Sequence, residues 1–126
     1  MGNNKNKNLN YMDVLSMDPK SLMIWLESNF SCDIPTTIET VDDLKNAGML
    51  LGKLTNIYSY LMSMSTFAKL SVRESKKSGL SKDDINECID RRDILDSYAA
   101  TIKMQYTAIS RMITVKKQID EEMKMI

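Results

Sequence analysis

Two runs of charged side chains carry most of the chemistry this 126-residue sequence could offer. Asp83, Asp84, Glu87 and Asp90 are dense enough to suggest a cation site. Just before them, Lys69, Arg73, Lys76, Lys77 and Lys82 could bind phosphates. Each run has a plainer reading. The carboxylates open a predicted helix and face the basic stretch, so dipole compensation and ion pairing account for them. The basic stretch has no aromatic between Phe67 and Tyr98 on which a base could stack, and acidic neighbours compete for its charges. Further along, Asp120, Glu121 and Glu122 offset part of Lys103, Arg111, Lys116, Lys117 and Lys124.

Other chemistry lacks its residues. There is no histidine, so histidine acid–base catalysis and histidine metal ligation are excluded. No glycine-rich phosphate loop occurs, and no nucleophile stands beside a plausible base. Cys32 and Cys88 are isolated and form no CxxC pair, so neither a disulfide framework nor a zinc site is expected. The expectation is a protein with no catalytic residue, cofactor, metal or small-molecule substrate. With 17 basic and 17 acidic side chains the formal charge is zero, which removes any bulk electrostatic pull toward nucleic acid or membrane.

The elements that place these charges are helical. Residues 1–10 form a polar Asn/Lys-rich tail, read as disordered, and residues 11–126 form a single helical domain. Asp18 and Pro19 start a short helix whose apolar face is Leu22, Met23, Trp25, Leu26 and Phe30. Residues 31–39, with Pro35, read as a linker. Thr40 and Asp43 then cap a long helix that Ser78 and Gly79 stop. Ser81 and Asp84 open a second one that runs without proline or glycine for ~44 residues, or ~66 Å. Two long helices joined by a turn this short must fold back on each other. The fold class is therefore all-α: a long antiparallel hairpin of about 40–77 and 81–126, with a short N-terminal helix packed against it. Residues 69–82 carry a balance of +4 and residues 83–96 one of −4, which places Arg73 and Lys76 near Asp83, Glu87 and Asp90.

The apolar stripes exceed what a hairpin can bury alone. Leu44, Ala47, Leu51, Leu54, Tyr58, Leu61, Ser65, Ala68 and Val72 form one seam. Leu50, Ile57 and Met64 run beside it, as Met112 and Ile119 do on the last helix. These five are the candidate interface for a homo-oligomer or a partner protein, and the eleven methionines suit an adaptable surface.

Asn46 to Lys117 resembles the recombination mediator of T-even-type phages. The likeness rests on a long amphipathic helix ending in KLSVRESKKSG and on Asp90-Arg91-Arg92-Asp93-Ile94-Leu95, matched as D-R-D-I-L without the second arginine. The pair Gln105-Tyr106 and the distal Arg111 complete it. It covers a little over half the chain. It implies an oligomeric hairpin that binds single-stranded DNA and loads a recombinase, with Lys69, Arg73, Lys76 and Lys77 at the DNA; Lys82 joins them on charge alone. The zero net charge and the Trp-bearing N-terminal helix depart from it. Two functions are implied: a DNA-metabolism accessory, or a protein-only module such as a virion component, assembly chaperone or small inhibitor of a host defence protein. No signal peptide or apolar run of membrane-spanning length is present, so the cytoplasm is expected, of the host if the gene is phage-borne.

Overall fold

The computed structural model describes residues 10–125 and is largely helical, without a strand among them. The expected polar tail lies outside the described residues, except Asn10. That side chain accepts from Asp13 N at 3.0 Å and caps α1 (Tyr11–Ser16). Helix α2 (Pro19–Phe30) begins after two residues. The break falls where a residue before proline is driven out of the helical region, and Asp18 has ψ 154. Asp18 accepts from Ser21 N at 3.1 Å and Ser21 Oγ at 2.7 Å, and chiefly the hydroxyl donation holds its carboxyl below the usual carboxylate range.

The two long helices are α3 (Val41–Lys77) and α4 (Lys82–Lys124), and they pack as a hairpin. Thr40 and Asp43 form the expected capping box: Asp43 N donates to Thr40 Oγ1 at 3.0 Å, and Thr40 N donates back to Asp43 Oδ2 at 3.1 Å. The stop is a Schellman turn. Leu80 N reaches Ser75 O, Gly79 N reaches Lys76 O, and Gly79 takes φ 69, the left-handed conformation that glycine adopts without a steric penalty. Ser81 Oγ then accepts from Asp84 N to begin α4. Gly48 and Gly52 do not mark a close helix approach, since a Cβ on either would meet nothing within 4 Å.

The chain divides into two compact units: residues up to Ser31 with Ser59–Ala99, and Cys32–Tyr58 with Ala100–Ile126. The first has the fuller core. Val14, Leu22, Leu26 and Phe30 of α1 and α2 are buried there, as are Leu61, Met64, Ala68 and Val72 of α3 and Cys88, Leu95 and Ala99 of α4. Trp25, Phe30 and Tyr60 close one side, with Trp25 edge-on to Phe30 at 5.3 Å and Tyr60 5.4 Å from Phe30. Arg91, only 7% exposed, is the charged group within it. Its Nη1 donates to Met17 O at 2.9 Å, beyond the end of α1, and its Nη2 to Cys88 Sγ at 3.3 Å. Glu87 stands 3.7 Å away as counter-charge. Across the hairpin Ser65, fully buried, donates to Asp96.

In the second unit the buried apolar residues are Ala47, Leu54, Ile57, Ile102 and Ile109. Residues 110–125 contain none that is fully buried. The hairpin register here is marked by Lys116, whose charge acts on Asp43.

These contacts have two measurable consequences. Arg91→Ala removes a charge-assisted bond to Met17 O and leaves that carbonyl without its partner. The expected loss is about 2–4 kcal/mol, read from the shift of a urea-unfolding midpoint. Asp43 is held below the usual carboxylate range, first by donation from Glu39 N, then from Thr40 N. A depressed carboxyl stabilises the fold above its unfolded pKa and loses that contribution as pH falls through the folded one. Asp43→Asn is therefore less stable than the parent at neutral pH, and the gap closes below about pH 4, measured by thermal melts across pH.

Candidate functional site

Two surfaces stand out, each within one unit. The first is the basic end of α3 and the start of α4, where Lys69, Arg73, Lys76, Lys77 and Lys82 are all exposed. Lys69, Arg73 and Lys76 are spaced at steps of four and three, so they share a face. Lys69 Nζ lies 3.9 Å from Asp96 Oδ1, with both side chains about half exposed. Such a pair is worth ~0.2–1 kcal/mol. The contacts of Ser65 with Asp96 and of Ser71 with Cys88 bring the two expected charge blocks level along the hairpin. The expected pairs themselves do not form. Among the described residues Arg73 and Lys76 have no carboxylate within 4.0 Å, and Glu87 pairs instead with Arg91 on its own helix. Arg92 likewise turns to the adjacent Asp93 at 2.9 Å. Exposed, well-hydrated charges gain too little from pairing to fix long side chains in place.

No group of three or more acidic or cysteine side chains converges on a metal position among the described residues. Cys88 is buried and Cys32 half-buried, and neither is in a disulfide.

The second surface belongs to the unit of Cys32–Tyr58 and Ala100–Ile126. The linker folds along both long helices there and leaves clefts beside it. One, of about 650 Å³, lies between Asp33–Thr37 and the first turns of α3, with Ala47, Met49 and Leu50 as its apolar wall. A second, of about 290 Å³, lies between Thr36–Ile38 and the α4 residues Arg111, Met112, Val115, Lys116 and Ile119. A third, of about 280 Å³, is set between Tyr58 and Tyr106 over Leu54 and Ile102. Lys116 Nζ is tied to Asp120 Oδ1 at 2.9 Å. Exposed apolar side chains crowd this end of α4: Val115, Ile119 at 47%, Met123 at 67%, and Met125.

The five expected interface residues therefore separate. Ile119 is exposed, and Leu50 and Met112 are half-buried and line clefts. Ile57 and Met64 are corrected: at 6% and 7% exposure they belong to the core. The reason is geometric. Successive residues stand about 100° apart around a helix, so two lines one position apart flank one broad apolar face. The Ile57–Met64 line lies nearer the middle of that face than Tyr58, which is only half-buried. The same offset on α4 buries Arg91 and leaves Arg92 half-buried, and half-buries Gln105 while Tyr106 is exposed. The spacing Cys88–Arg91–Leu95, three then four, is the signal that places Arg91 on the inner face.

Among the described residues no helix is long and apolar enough to cross a membrane. Compared with protein-family models, with curated proteins and with solved structures, the chain matches none.

Proposed function

We propose that this chain is a non-catalytic interaction protein, a self-associating helical hairpin that works by holding protein partners. One observation carries the reading. From residue 110 to 125 the chain buries no side chain fully, yet exposes Val115, Ile119, Met123 and Met125, the first two lining an open cleft. Apolar side chains gathered at one end of a helix are typical of an interface. Methionine adds a flexible, polarisable surface that can fit more than one shape.

The measurement is mass against concentration. Sedimentation over a roughly hundredfold range shows a concentration-dependent rise above the 14.4 kDa chain, as mass action requires. Ile119→Lys lowers the association while leaving thermal stability nearly unchanged, because Ile119 contributes little to the chain's own core. A clean 14.4 kDa species at every concentration overturns the reading.

A second reading, single-stranded DNA binding by a recombination-accessory protein, is favoured by the exposed cations Arg73, Lys76, Lys77 and Lys82, none within 4.0 Å of a described carboxylate. It stands second because residues 83–96 carry a balance of −4 against the +4 of residues 69–82. Its test is salt. Changing Lys76 and Lys77 to Glu removes about two phosphate contacts and lowers the slope of log affinity against log salt by roughly 1.4. Absence of binding to an oligonucleotide at about 50 mM salt rules it out.

A further inference from the structure

Along one flank of α4 the exposed side chains Arg111, Val115, Ile119 and Glu122 are spaced at steps of four, four and three. At about 100° per residue they lie within an arc of about 80°, so they form one line on the helix surface. The line is basic at one end, acidic at the other and apolar between. It is also nearly symmetric about residue 117. Neither Arg111 nor Glu122 has an oppositely charged partner within 4.0 Å among the described residues, whereas Lys116 and Asp120 on the adjoining face are tied to each other. The cleft of about 290 Å³ between Thr36–Ile38 and α4 runs beside this line, with Arg111, Val115 and Ile119 in its wall.

A sequence of this pattern is complementary to itself when reversed. We infer that the occupant of this flank is the same flank of a second copy, laid antiparallel, with Val115 of each chain against Ile119 of the other and Arg111 of each facing Glu122 of the other. This rests on the self-association proposed above and specifies its contact. A two-fold axis near residue 117 generates both apolar contacts and both ion pairs at once, as an isologous interface must. A parallel in-register arrangement would set Arg111 on Arg111 and Glu122 on Glu122, where like charges repel.

Charge reversal distinguishes this contact from other modes of association. R111E alone places two acids at each end of the contact, and E122R alone places two bases there. Each weakens dimer formation about tenfold or more in sedimentation. The double variant R111E/E122R, or an equimolar mixture of the two single variants, restores it, because every pair is again of opposite sign. In parallel, a mixture of V115C and I119C chains forms an oxidised dimer of twice the chain mass that the parent chain does not. Far-UV circular dichroism verifies that each variant keeps its helix. If the parent is monomeric throughout, the self-association reading falls and this contact with it. If the parent associates but the single reversals have no effect, or the mixture shows no recovery, this contact alone is overturned.

Discussion

One buried guanidinium fixes where the N-terminal segment meets the hairpin. Arg91 is taken out of water by α1 and α2, and removing a charge from water is costly unless its donors are satisfied. Met17 O, Cys88 Sγ and the nearby Glu87 satisfy it in part, leaving Nε without a partner among the described residues. The direction of the chain between α1 and α2 is thereby specified. A carbonyl freed by the break before Pro19 is offered to a buried cation whose counter-charge is Glu87. Apolar contact from Val14, Leu22, Leu26 and Phe30 supplies the larger stabilisation, at about 1.5–3 kcal/mol for each large side chain. The guanidinium supplies the direction, which non-directional burial cannot.

The molecule is uneven as a result. Where α1 and α2 cover the hairpin, α3 and α4 bury one broad face continuously. Where only the linker is available, the same two helices bury five apolar side chains and leave clefts between linker and helix. An extended segment of about ten residues offers fewer side chains and less area than a helix of twelve. The aliphatic residues that repeat along α4 therefore change character within one element, from core to surface.

The helix limits were legible because they are written in local chemistry. Thr40 with Asp43, Ser81 with Asp84 and Gly79 each act within four residues, and the contacts are those the spacing implies. The antiparallel hairpin is dictated by the short turn. Less legible was which of two neighbouring lines faces inward. Ile57 and Tyr58, or Arg91 and Arg92, differ by one position, and a wide amphipathic stripe accommodates either. Ion pairing was legible only as opposed blocks of charge, because exposed side chains choose partners by fractions of a kcal/mol. The flank of Arg111, Val115, Ile119 and Glu122 is hidden in the sequence for a different reason. By spacing alone Ile119 joins Met112 on a line beside the seam, and only the fold shows Met112 half-buried and Ile119 exposed.

The turn at Gly79 also orders the events of folding. Ser71 and Cys88 are 17 residues apart, Ser65 and Asp96 are 31, and Met17 and Arg91 are 74. Closing the longest of these loops costs about 1.3 kcal/mol more in chain entropy than closing the shortest. Once the turn is set, the hairpin can zip outward from its tip, each new pair enlarging a loop already closed. The guanidinium bond to Met17 closes the longest of these loops. Until it forms, the future core on α3 and α4 is a bare apolar face, exposed to any neighbouring chain during that interval.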